Sequence, residues 1–215
     1  MELNKPKFIR DNDTFLAIYG RNLLAELDII LPDNYLIVTM EDLWEKYKHH
    51  FKNKEKNVYI VKGLDINKVD EDFKNLNNFS TIVGIGGGQS LDIAKYFAWK
   101  SGVKLFQVPT SMSVNATFGH RAAIRINSNV SYVGWTVPEA VYIDYDIIKE
   151  APKEFNRSGI CEIMCYHTAH LDWKYATKVG KCEKKWPYDQ SAVNEAQSVL
   201  DYMLEGIDDI KEVND

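Results

Sequence analysis

Three observations predict an α/β fold, a parallel sheet covered on both faces with a helical segment after it. Short apolar runs alternate with longer amphipathic stretches up to about residue 108, the pattern of βα units. The runs are continuous rather than alternating in polarity, as strands buried on both faces require. From Pro152 onward glycine and β-branched runs thin out and helical spacing takes over.

The strands are expected, in order, at Thr14 to Tyr19, Tyr35 to Met40, Asn57 to Val61, Thr81 to Ile85 and Lys104 to Val108, on the runs FLAIY, YLIV, VYIV and TIVGI and the sequence KLFQV. Between them, Asn22 to Ile29, Glu41 to Lys52, Asn67 to Leu76 and Ser90 to Lys100 carry helical periodicity. Arg121 to Gly134 reads as a hairpin, because Asn127, Ser128 and Asn129 separate two short β-prone runs. Ala140 to Asp144 is one more strand. Residues 158–178 and 189–207 read as two helices joined by a polar turn, and a domain boundary falls within residues 145–157. The Lys/Asn-rich stretch at 52–57 is expected to be an exposed loop.

With 45% hydrophobic and 27% charged residues over 215 positions, the chain has the composition of a globular protein. Twenty-six Lys and Arg against 31 Asp and Glu give a net charge of -5, which argues against nucleic acid as a partner. No apolar stretch approaches the roughly 20 residues of a membrane span, and the start MELNKPKFIR lacks a signal-peptide core. A cytoplasmic location is the expectation. Cys161, Cys165 and Cys182 form neither an even framework nor a CxxC pair, and are expected to be reduced thiols.

The sharpest local signal is Gly84-Ile85-Gly86-Gly87-Gly88-Gln89-Ser90-Leu91-Asp92-Ile93-Ala94-Lys95, directly after a predicted strand and opening a predicted helix. Consecutive glycines cost backbone entropy and let the chain turn closely around a bulky ligand. The helix that follows offers unpaired N–H groups and a positive dipole end. Together these suit a diphosphate. The spacing is neither GxGxxG nor GxxxxGK[ST], and a tight turn without a ligand is the alternative. One strand later, Gln107 to His120 is rich in hydroxyl and amide side chains and lies where a parallel strand's carboxyl end should be, the usual ligand edge of such sheets. Beside the glycine loop it reads as a second wall of the same site. Glu41 and Asp42 follow the second strand, the position at which dinucleotide folds hold the adenosine ribose hydroxyls; Glu41 therefore favours NAD, with NADP as the alternative, and the first turn of a helix is the other reading of the pair.

These segments together resemble the iron-containing (group III) alcohol dehydrogenase superfamily, in its glycerol dehydrogenase and glycerol-1-phosphate dehydrogenase branch, with 3-dehydroquinate synthase as a more distant relative. The family's GGGxxxD motif is matched by Gly86, Gly87, Gly88 and Asp92; its PT-x-x-S-N-D-G segment is matched by Pro109, Thr110 and Ser113, followed here by Val114, Asn115 and Ala116. Its G-x-G-D and Asp-Trp pair correspond to Gly159-Ile160-Cys161-Glu162 and Asp172-Trp173. The resemblance implies a Rossmann-like dinucleotide-binding domain over residues 1–150, and over 151–215 the beginning of an all-helical metal and substrate domain whose continuation would supply two metal-binding histidines. It further implies that Gly86, Gly87, Gly88 and Asp92 hold the cofactor, that Thr110 and Ser113 line its nicotinamide side, and that Glu162 holds a divalent metal, zinc by preference, in an incomplete site. Asn115, where the family has Asp, and His120 are the candidate catalytic residues, and His120 with Arg121 suggests a pocket for a phosphate-bearing substrate.

On this reading the function is hydride transfer between NAD(P)(H) and a small polyol or polyol phosphate, metal-assisted. A dehydroquinate-synthase-like lyase and a non-catalytic nucleotide-binding fragment are the alternatives. His167, His170 and Cys165 lie near Glu162 in sequence, but the span is too long for all to reach one ion without strain. Apolar residues at helical spacing, from Ile160 to Tyr175 and from Val193 to Ile207, suggest that a second copy or a partner chain covers the helical segment.

Overall fold

The computed structural model describes residues 15–52, 57–113 and 115–212, so Thr14, the stretch 53–56 and Val114 lie outside the described residues. The chain divides into two compact units, Met1–Ala151 and Pro152–Asp215.

The first unit is built on a parallel six-stranded sheet. Its strands are β1 (Leu16–Gly20), β2 (Tyr35–Thr39), β3 (Val58–Ile60), β4 (Thr81–Gly86), β5 (Lys104–Pro109) and β8 (Ala140–Asp144), lying side by side in the order β1-β8-β5-β4-β2-β3. The α/β expectation holds, and every predicted strand forms within two residues of its expected bounds. All residues of β2 and β4 are buried, which is why their sequences run apolar without alternation. β1 is an edge, and its Leu16 and Tyr19 are exposed.

Successive residues of one strand enter two separate cores, as the pleat dictates. Leu36, Val38 and Ile82 join α3 (Ile66–Lys74), α4 (Gly88–Ser101) and a hairpin of β6 (Ala122–Ile126) and β7 (Asn129–Val133) on one face. Tyr35, Ile37 and Val83 join α1 (Leu23–Ile30), α2 (Glu41–Tyr47) and α5 (Tyr145–Glu150) on the other. Because sheet and hairpin both pack against α4, every residue from Ser90 to Trp99 is buried. The hairpin turns through Asn127 and Ser128, both at positive φ (50° and 67°), and pairs Ile126 with Asn129, a two-residue connection of the kind that suits the twist of a ribbon.

The second unit holds α6 (Lys153–Lys178), α7 (Gln190–Glu205) and α8 (Ile207–Glu212). α6 starts five residues earlier than its apolar spacing suggests, since Pro152 has a fixed φ that suits a helix start. Val193, Leu200 and Met203 of α7 are buried, whereas Met164, Leu171, Tyr175, Val199 and Leu204 are exposed. No helix among the described residues is long and apolar enough to cross a membrane.

Candidate functional site

The carboxyl ends of β2, β4 and β5 lie side by side, and the loops that leave them form the site. β4 ends on Gly86 at φ 143°, a backbone that L side chains rarely adopt; a Cβ there would also stand 2.7 Å from Ser90 Oγ and 3.2 Å from Leu43 Cδ1. Gly87 differs. It is the N-cap of α4, no side chain caps that end, and a Cβ on it would meet nothing within 4 Å. The first helical bond runs from Leu91 N–H to the Gly87 carbonyl at 3.1 Å, so the N–H groups of Gly88, Gln89 and Ser90 have no acceptor within the helix. An open glycine, three amides without an acceptor inside the helix and a positive dipole end make an anion cradle. Two buried hydroxyls at this edge, Ser90 Oγ and Thr39 Oγ1 at the tip of β2, have no hydrogen-bond partner among the described residues. A buried polar atom without a partner is costly, and ligand oxygens would satisfy both.

Glu41 opens α2 directly after β2 and is exposed, at the same sheet edge as the glycine loop. Its charge also favours the helix start it occupies.

Thr110 joins the second loop to the first: its N–H donates to the Gly86 carbonyl at 3.1 Å, continuing the register that pairs Gly86 with Pro109. Beyond it, the Ser111 and Ser113 hydroxyls are 3.1 Å apart, and Asn115 begins a single turn of 3-10 helix with its side chain exposed. The Asn115 carbonyl accepts from Phe118 N–H at 3.0 Å and from Gly119 N–H at 3.2 Å.

His120 follows the 3-10 turn and sits among aromatic rings. Its ring stands edge-on to Phe15 and Trp135, at centroid distances of 6.3 and 5.1 Å, so the contacts that orient it are aromatic packing. The Arg121 guanidinium donates to the Tyr132 carbonyl of the hairpin and is thereby tied to the protein. Asp92 is paired inside the protein. Its carboxylate is 2.8 Å from Lys95 Nζ within the protein, and Lys95 is 1% exposed. Burial pushes the Asp92 carboxyl up while the Lys95 charge opposes the shift; burial pushes the Lys95 ammonium down and Asp92 opposes that.

Lys95 is the residue that sequence reasoning missed. Its ammonium donates to the carbonyls of Ala116 at 2.8 Å, Gly119 at 3.0 Å and Arg121 at 2.9 Å. The available signal was a lysine inside the apolar run IAKYFAW, since a lysine there is buried only when paired.

The metal expectation is of an incomplete site at Glu162. Glu162 is exposed on α6, and no group of three or more His, Cys, Asp or Glu among the described residues is arranged to hold an ion. His167 and His170 stand 5.7 Å apart ring to ring, and His170 Nδ1 lies 2.9 Å from the Tyr166 carbonyl. Cys161 and Cys165 are free thiols. A lone exposed carboxylate falls short of the three protein ligands of a catalytic zinc.

A separate concavity of about 130 Å³ lies beside the carboxyl end of β8, lined by Tyr47, His50, Asp144, Asp146 and Glu150 among others. Its acids are committed. Asp144 accepts from Leu23 N–H at 2.6 Å and Asp146 N–H at 3.0 Å, capping α1 and α5, and Glu150 is held by Lys46 at 2.8 Å and the Tyr47 hydroxyl at 3.0 Å.

The sequence profile of the iron-containing alcohol dehydrogenases matches residues 22–152. Among characterised relatives, the glycerol-1-phosphate dehydrogenase [NAD(P)+] of Methanococcus aeolicus is 31% identical over 190 residues, covering 86% of this chain and 52% of the relative. That of Sulfolobus acidocaldarius is 30% identical over 184 residues, covering 82% and 52%. The chain thus spans about half the length of these relatives. Among solved structures, a probable glycerol dehydrogenase from Sinorhizobium meliloti superposes with a TM-score of 0.70 at 16% identity, over 90% of this chain and 57% of that one. A profile match over more than half of the chain, taking in both loops at the sheet edge, makes this chain a member of the iron-containing alcohol dehydrogenase family.

Proposed function

We propose that this chain carries the dinucleotide-binding part of an NAD(P)-dependent dehydrogenase acting on a small polyol phosphate of the glycerol-1-phosphate type. The observation that carries the reading is the pair of loops joined by the Gly86–Thr110 hydrogen bond, with the open face of Gly87 between them and the free amides of α4. The first-turn amides would hold the diphosphate, with Ser90 and Thr39 supplying hydroxyls to its oxygens. Glu41 would accept from the adenosine ribose hydroxyls, favouring NAD over NADP. Thr110 and Ser113 would line the nicotinamide side, and Asn115, an amide where the family carries an acid, would orient the substrate hydroxyl by hydrogen bonding without taking its proton. Once bound, the cofactor supplies the hydride acceptor or donor. The names of the relatives support the polyol phosphate as substrate.

A second reading, nucleotide binding without turnover by this chain alone, is favoured by the lack of a metal donor set among the described residues. Fluorescence titration with NADH, followed by assays with dihydroxyacetone phosphate and glycerol-1-phosphate with and without zinc, tests both. Saturable NADH binding that Gly87→Val abolishes supports the dinucleotide site, and turnover decides between the two readings. Equal binding by a folded Gly87→Val protein would refute the site.

A further inference from the structure

We propose that Lys95 is a positioning residue, an internal cation that holds the loop 115–121 in the shape required of the substrate side of the site. The inference rests on the proposed function for what that loop does, but its structural part stands on the Lys95 contacts alone.

The three carbonyls that Lys95 reaches, at 2.8, 3.0 and 2.9 Å, come from Ala116, Gly119 and Arg121, all within one short irregular segment. The Asp92 carboxylate at 2.8 Å completes four acceptors around three N–H donors. Two other carbonyls of the segment are used too. Asn115 O takes two amides of its own turn, and His120 O accepts from Thr136 N–H at 2.8 Å. The Thr136 hydroxyl in turn donates to the Lys95 carbonyl at 3.1 Å. The segment therefore points three of its carbonyls to one ammonium, while the side chain of Asn115 remains exposed. Such an arrangement resembles a cation site whose ion is covalently tethered.

Lys95 lies on the helix whose first turn carries the anion cradle, seven residues beyond Gly88, about 10 Å along a rigid rod. The clamp thus sets a fixed spacing between the diphosphate end of the site and the 115–121 loop. Without the ammonium, three carbonyls that point inward would lose their donor and turn toward water. Arginine cannot substitute, because its planar fork does not converge on carbonyls gathered around a single point.

The test is hydrogen exchange, read by peptide, combined with NADH titration on the parent, Lys95→Met, Lys95→Arg and Lys95→Ala proteins. In Lys95→Met, residues 115–121 should exchange about a hundredfold faster, while β2 and β4 stay within about threefold of the parent. Affinity for NADH, set by the glycine loop, should change by less than about threefold. Lys95→Arg should behave like Lys95→Met, and n-propylammonium, which replaces the side chain removed in Lys95→Ala, should restore protection where tetramethylammonium does not. Unchanged exchange of the loop in a folded Lys95→Met protein would overturn the proposal. So would loosening of the whole first unit, or failure to fold, in all three variants, since Lys95 would then be a general determinant of the fold. A parent protein that fails to bind NADH would refute the proposed function, while the exchange data would still decide whether Lys95 holds the loop.

Discussion

α4 and α6 are both long helices that carry residues the family motifs mark, yet they sit in opposite surroundings. From Ser90 to Trp99 every residue of α4 is buried, against the sheet on one side and the β6–β7 hairpin on the other. Of the 26 residues of α6, Asn156 alone is buried. The comparison sets the two motif-bearing segments of the family resemblance side by side. Around α4 the surroundings are complete, so a glycine loop, two unpartnered hydroxyls and a lysine clamp are held in fixed relation. On α6 the motif residue Glu162 is an exposed carboxylate without the neighbours that metal binding needs.

The largest effect expected from that contrast is in stability. Phe97→Ala removes a fully buried ring from the core beside α4 and should cost about 3–5 kcal/mol, whereas Leu171→Ala, at a position 50% exposed on α6, should stay within about 0.5 kcal/mol. Urea titration of the two variants checks this, and equal losses would break the comparison.

Next comes a contrast between adjacent glycines. Gly86→Val forces a β-branched residue into a φ of 143° and against Ser90 and Leu43, and should lose roughly 1–3 kcal/mol from backbone strain alone. Gly87→Val meets open space, and should unfold within about 2 °C of the parent while losing cofactor affinity. Thermal melts separate the two.

Much of this was legible in the sequence. Strand and helix positions followed from apolar runs and from Gly, Asn and Pro punctuation, and the β6–β7 turn from Asn127 and Ser128. The order of strands was not, because pairing β1 with β8 depends on contacts between residues far apart in sequence. Gly88 was read as loop and is the first residue of α4: its low propensity is outweighed by the packing of the turns that follow it. Lys95 went unread and Asp92 was read by its motif alone. The motif gave Asp92 a place beside the cofactor, and only the fold shows that it also pairs with Lys95 in the interior. His120 could be singled out by residue type, but its ring contacts with Phe15 and Trp135 were not legible because they depend on the fold.

The smallest expected effect concerns pH. Hydrogen bonds from Lys68 hold Asp72 below the ordinary carboxylate range, with a further bond from Tyr59; Lys46 and Tyr47 do the same for Glu150. Because the folded state depresses these values, the stability they add is present at neutral pH and is lost as pH falls through the carboxylate range. Both sites are partly open to solvent, so about 0.5 kcal/mol or less is at stake. Urea titrations at pH 7 and pH 3 should show Asp72→Asn losing less on acidification than the parent.

The central claim is that the glycine loop and the loop after β5 close on one dinucleotide. Hydrogen exchange of the parent protein with and without saturating NADH tests it directly. The account predicts added protection at residues 86–90 and at 110–113 together, with α6 unchanged. Protection at neither segment, or only in the second unit, would contradict it.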